Sequence, residues 1–243
     1  MTQANPPWVA PFVLDTPEVT RERVGHYDLY LPEPTPLSET GPRPAVIMLH
    51  GGPVNPAWPA SPRDWLGYRG LGAQIASRGY VGVVVDHGLH SFGHYPQAWA
   101  DCRAAIDAVR ADPRVDGDRI VVWVFSGGGP FVVPLHTERV EGLRAVALTY
   151  PLLAHPELAE GFDVLDAIDA LGALPLIFTR VGLEHPPLVD GQEKFLAAAA
   201  ERDFELDLID VPNGHHGFEQ IDHTEESREA LERAFELIFA RLA

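Results

Sequence analysis

The sequence predicts an α/β protein with a mainly parallel central sheet, helices on both faces and little covering its strand ends. Two observations predict it. Short apolar runs of four to eight residues alternate with longer amphipathic stretches along most of the 243-residue chain. Those runs are continuous rather than alternating, which suits strands buried on both faces of a parallel sheet.

The elements follow in order. Residues 1–18 are proline-rich and read as an irregular segment, and Thr20 to Leu31 alternates like an exposed strand. Residues 32–44 hold several prolines and a glycine, so they read as a loop. Ala45–Leu49 is the first buried run, followed by a helix near Leu66–Arg78. Val81–Val85 precedes a helix near Gln97–Arg110, and Ile120–Phe125 leads into a glycine-rich turn and a helix. Leu143–Leu148 precedes a short helix near Val164–Ala170. Leu174–Val181 precedes a helix near Gln192–Arg202, and Phe204–Val211 is the last strand. A helix from about Glu225 closes the chain, with Leu231, Ala234, Phe235, Ile238 and Leu242 at helical spacing. There is no internal repeat and no linker between halves, so residues 1–243 read as one domain.

Composition narrows the function. Hydrophobic residues make up 46% and the formal net charge is −17. So acidic a chain has no basic footprint for nucleic acid and none for an anionic membrane surface. Solubility is the plain consequence. The single cysteine, Cys102, allows no intramolecular disulfide and falls on the apolar side of its helix. The first residues lack a secretory pattern and no apolar stretch is long enough to span a bilayer, so a cytoplasmic protein is the default expectation. The oligomeric state is not legible.

In open α/β sheets the site gathers at the carboxyl ends of the strands. After the first run comes His50-Gly51-Gly52-Pro53, and after the third Ser126-Gly127-Gly128-Gly129. After the fifth comes Gly182-Leu183-Glu184, and after the last Asn213-Gly214-His215-His216-Gly217-Phe218. A serine, an acid and a histidine thus follow three strands in the chain order of the α/β-hydrolase triad. The glycines after Ser126 lack the lysine and spacing of a phosphate loop. Taken singly, each of these residues has a plain structural reading: Ser126 as a helix cap, Glu184 as a surface carboxylate, the histidines as loop residues.

On those four motifs the chain resembles the α/β-hydrolase superfamily, nearest to its dienelactone-hydrolase-like and small serine esterase members. The resemblance runs from Thr20 onward. Dienelactone hydrolases carry a cysteine where Ser126 stands, so the resemblance implies ester hydrolysis rather than that named reaction. It implies Ser126 as nucleophile and, from the Gly-Phe after it, His216 rather than His215 as base. Glu184 would orient the imidazole, with Asp190 as the second choice. His223 lies further on and reads as solvated. The oxyanion hole would use the amides of Gly127 and Gly52, since Pro53 has no N–H. His50 would brace that loop. Val124 departs from the pattern, which wants a small residue two before the serine.

His87, His90 and His94 have spacings reminiscent of metal ligands. With no cysteine or carboxylate obvious beside them, pocket lining is the better reading, and no metal and no cofactor is expected. The expected pocket comprises Trp58, Trp65, His90, His94 and Tyr95. The expected reaction is hydrolysis of a small ester through an acyl-enzyme, on a small-molecule ester or thioester. A thioesterase, an acyltransferase or a catalytically silent scaffold on the same fold are the rivals.

Overall fold

The computed structural model describes residues 5–33 and 41–243. The remainder of the expected N-terminal segment and of the 32–44 loop lies outside the described residues. Among the described residues, eight strands form one sheet in the order β1-β2-β4-β3-β5-β6-β7-β8. They are β1 (Thr20–Val24), β2 (Tyr27–Leu31), β3 (Arg43–Leu49), β4 (Val81–Val85), β5 (Val115–Phe125), β6 (Leu143–Thr149), β7 (Leu176–Leu183) and β8 (Leu206–His215). From β4 through β8 every pairing is parallel. β1 and β2 form an antiparallel hairpin that joins the sheet through β4. What read as one exposed strand over 20–31 is therefore two, and Leu29 and Tyr30 of the second are buried.

The apolar runs are central strands because both of their faces are covered. Helices α2 (Tyr95–Arg110), α3 (Val132–Thr137) and α4 (Pro186–Glu201) cover one face. Their side chains join Ile47, Val83 and Val122 in one apolar cluster. On the other face, α1 (Leu66–Ser77) and α6 (Glu225–Ala240) pack over Val46, Met48 and Trp123. The short α5 (Phe218–Ile221) follows β8.

Of the boundaries that differ from the sequence reading, three have identifiable reasons. α2 starts at Tyr95 and α4 at Pro186, each with proline in its first turn. Proline is at home there, where its missing N–H would have no helical acceptor. The helix expected over Val164–Ala170 shrinks to one 3-10 turn, Ile168–Ala170. Asp163 draws the amides of Leu165 and Asp166 onto its side chain, while Val164 bonds back to Leu153.

That β6–β7 connection bears on the site. Its apolar residues, Leu153, Phe162, Val164 and Leu171, are buried in the core cluster rather than spread over the strand ends. The cap is minimal because its hydrophobic side chains are already used beneath it. The described part of the N-terminal segment, residues 5–19, has no helix or strand, yet Phe12 and Val13 are buried. Gln220 ties it down by donating to the carbonyls of Pro7 (2.9 Å) and Ala10 (3.0 Å).

Candidate active site

The chain turns from β3 to β4 on one side and to β5 on the other, so the crevice beyond β3 and β5 is the switch point of this sheet. Ser126 stands there, directly after β5. Its φ of +49° lies in the left-handed region that serine seldom occupies. Such strain marks the sharp strand-to-helix turn that lifts a side chain above a sheet.

The glycines after the serine make that turn possible. A Cβ on Gly127 would lie 2.0 Å from the Gly52 carbonyl oxygen, so only glycine lets the two loops pass. A Cβ on Gly128 would come within 3.0 Å of the His50 carbonyl oxygen but 3.6 Å from the Val124 side chain. Val124 is fully buried in the core, and at this spacing it does not crowd the turn. The hydroxyl of Tyr95 donates to the Gly127 carbonyl at 2.6 Å and fixes that peptide from below.

Three side chains from three strand ends meet. His216 Nε2 lies 2.7 Å from Ser126 Oγ. His216 Nδ1 lies 2.9 and 3.0 Å from the two carboxylate oxygens of Glu184. A carboxylate can only accept, so Nδ1 carries the proton and Nε2 presents its lone pair to the serine hydroxyl. The Glu184 carboxylate is buried and also accepts from the His185 amide (2.6 Å) and the Gln192 amide (3.3 Å). Burial alone would disfavour its charge. The His216 hydrogen bond and charge outweigh that, with help from the other two donors, and hold the carboxyl below its usual range.

The alternative residues lie elsewhere. His215 is exposed and pairs with Asp222 at 3.0 Å. Asp190 pairs with Lys194 at 2.7 Å on the surface. His223 is exposed, and Cys102 is buried, its thiol pushed well up by burial.

The β3 loop runs beside the serine. The Gly51 amide donates to Tyr68 Oη at 3.2 Å. The Gly52 amide has no acceptor among the described residues, which leaves it free for a ligand. Its nitrogen is 2.8 Å from where a Gly127 side chain would begin, so the two amides of the expected oxyanion hole are neighbours. His50 and His87 stack beneath this loop with ring centroids 3.6 Å apart.

A pocket of about 330 Å³ opens over Ser126 and His216. Trp58 and Trp65 line it, together with Tyr68, Tyr150, Glu219 and Pro7. The other three expected lining residues do not reach it. Tyr95 is fully buried, because the α2 face that carries it turns into the core against Phe131 and Phe162. His94 is exposed, and His90 lines an adjoining pocket. Among the described residues no group of three or more His, Cys, Asp or Glu could hold a metal ion. None of their helices is long and apolar enough to cross a membrane.

The sequence reading missed Tyr68, Tyr150 and Glu219. Tyr150 packs its ring 4.3 Å from that of His216 and donates to Glu219 Oε1 at 2.5 Å. Burial pushes the Glu219 carboxyl up, and burial with the Glu219 charge pushes the Tyr150 phenol well up. Tyr150 had a signal: it directly follows the β6 run, as Ser126 follows β5.

Comparison with known proteins agrees with this architecture. A Thermogutta terrifontis esterase, Est2, superposes with a TM-score of 0.66 over 94% of this chain and 95% of its own, at 20% identity. One of two Rhizomucor miehei esterases superposes with a TM-score of 0.74 over 98% and 86%, at 15% identity. The chain has the α/β-hydrolase fold. A structure of the T. terrifontis esterase 2 phosphoramylated by tabun superposes on this chain with a TM-score of 0.68, 20% identity and coverage of 93% and 96%. The BD-FAE family model matches residues 27–140, which hold β2 to α3 with the HGGP loop and Ser126. No curated protein matches the chain in sequence.

Proposed function

We propose that this protein is a serine carboxylic ester hydrolase acting on small esters. The observation that carries the reading is the hydrogen-bonded chain Ser126–His216–Glu184 at the floor of an open pocket. His216 Nε2 takes the hydroxyl proton as Ser126 Oγ bonds to the ester carbonyl carbon, and the carbonyl π pair moves onto oxygen. The Gly52 and Gly127 amides receive that oxyanion. As the intermediate collapses, the C–O bond to the alcohol breaks and the imidazolium returns its proton to the leaving oxygen. Water then repeats the sequence on the acyl-enzyme, with His216 again as base. Glu184 holds the Nδ1–H tautomer and stabilises the imidazolium. The similarity to esterases, one of them modified by an organophosphorus agent, supports the same chemistry.

The preferred acyl group is short. With the apolar residues of the β6–β7 connection packed into the core, the pocket is walled by Trp58, Trp65, Tyr68 and Tyr150 and has no apolar lid among the described residues. Each methylene left outside forgoes about 0.8 kcal/mol of burial. The test is a series of p-nitrophenyl esters from acetate to palmitate, with a fluorophosphonate probe read by peptide mass. Expected are a label on the Ser126 peptide and kcat/KM that falls beyond the short chains. A label elsewhere would remove Ser126 from the reaction, and kcat/KM rising to palmitate would remove the size preference.

A further inference from the structure

A second pocket of about 370 Å³ adjoins the one over Ser126. Val54 and Trp58 belong to both walls. Asp86, Asp101, His87 and His90 line the rest of it, and no lysine or arginine does.

The polar groups here offer electron pairs. Asp101 is held by two neutral donors, Gln97 Nε2 on Oδ1 and the Gly88 amide on Oδ2, each at 3.1 Å. No cation pairs with it among the described residues, so its charge is uncompensated. Asp86 differs, because Arg63 Nε lies 3.2 Å from its Oδ2. His87 is 97% buried, and its Nε2 donates to the His50 carbonyl at 3.1 Å. Its Nδ1 is then a bare acceptor, and it has no partner. His90 Nδ1 is used on the Val54 carbonyl at 2.9 Å. Its Nε2 lies 3.9 Å, and Asp101 Oδ2 3.3 Å, from the position a side chain on Gly88 would begin. These two groups converge on one point, and the indole of Trp58 lines the same pocket.

A negative, acceptor-rich pocket with an aromatic wall complements a positively charged hydrogen donor. The net charge of −17 attracts such a species toward the protein. We propose that this pocket receives a protonated primary amine carried on the alcohol side of an ester whose carbonyl lies over Ser126. The proposal rests on the esterase reading for its second half, since Trp58 and Val54 join the amine pocket to the site of acyl transfer. Asp101 supplies the charge, His90 Nε2 an acceptor, and Trp58 the shared wall.

The test compares 4-(aminomethyl)phenyl acetate with 4-ethylphenyl acetate, which replaces the ammonium by a methyl group of similar size. Each kcat/KM is divided by that ester's hydroxide rate constant, which removes the difference in leaving group. The ammonium ester should be preferred about tenfold, and the preference should shrink at high salt. Asp101→Asn keeps both hydrogen bonds if the Gln97 amide turns over, and it should bring the preference close to unity. Equal wild-type values, or a loss in Asp101→Asn that strikes both esters alike, would overturn the proposal. Calorimetric titration of Ser126→Ala with the two phenol products separates binding from catalysis. If the aminomethyl phenol binds more tightly while neither ester is cleaved, the pocket stands and the esterase reading fails. If the two phenols bind alike, the pocket proposal fails whatever the esterase activity.

Discussion

Two histidine arrangements sit within one strand-end crevice, and they are connected in opposite ways. His216 uses both ring nitrogens, one on Glu184 and one on Ser126. His50 and His87 each use one, on a backbone carbonyl, and leave the other without a partner. The first arrangement is a path for a proton with a carboxylate behind it to stabilise the charge. The second has no carboxylate in hydrogen-bond contact, so it is built to stay neutral. A buried imidazole is thus a base or a structural slab according to its partner.

The largest effects should come from breaking the first arrangement. Ser126→Ala should reduce kcat for p-nitrophenyl acetate by about 10⁶, as removing the nucleophile of such a unit does, and His216→Ala by a similar factor. His215→Ala should be mild, because that side chain is exposed and engaged with Asp222. Glu184→Gln should cost about 10⁴. Asp190→Asn should cost nothing measurable, since Asp190 is tied to Lys194 at the surface. A reversed ranking within either pair would relocate the base or the acid.

The second arrangement should reveal itself through pH. Burial lowers His50 from 6.5 to about 4, and burial with the neighbouring His50 lowers His87 well below 6.5. Below pH 6.5 the unfolded chain therefore takes up protons that the folded chain refuses. Stability is full above about 6.5 and falls as pH drops toward the folded value of His50, about 4. Glu219 acts in the opposite sense. Its raised pKa lets the folded state gain a proton first, which adds stability as pH falls. The urea midpoint should decline from pH 6.5 to 5 in the wild type, and more steeply in Glu219→Gln. A flat midpoint in both would mean that the stacked rings titrate normally.

The same contrast explains what was legible in the sequence. Ser126 directly follows a continuous apolar run, and Glu184 and His216 come within a few residues of the ends of two later strand-like stretches, so strand prediction and chain order bring them to one edge. The second arrangement depends on how loops fold over that edge. His87 and His90 are close in sequence, but the backbone after β4 sends one into the interior and leaves the other exposed. Pro7, Trp58 and Glu219 form one pocket from three distant segments, and no local pattern brings them together. Tyr150 was readable in principle, since it follows β6 directly. The N-terminal segment was not, because proline-rich chain without periodicity gives no sign of burying Phe12 and Val13.

Tyr95 joins the two regions and gives the smallest prediction. Its place after His90 and His94 suggests a pocket residue, but α2 begins at Tyr95 itself and carries it into the core beside Ala98, Trp99 and Cys102. The ring packs against Phe131 and Phe162, and the hydroxyl supports the Gly127 carbonyl. Tyr95→Phe keeps the ring and removes only that hydrogen bond, leaving a buried carbonyl short of a donor. The expected cost is about 1–3 kcal/mol of stability, measured by urea unfolding. The Gly127 amide is next to that peptide and faces the developing oxyanion in the proposed reaction. A small loss of alignment should therefore lower kcat severalfold and leave KM nearly unchanged, because oxyanion contacts strengthen in the transition state rather than on binding. A pocket residue would give the reverse, with KM shifted and stability intact, and that outcome would return Tyr95 to the substrate's side of the loop.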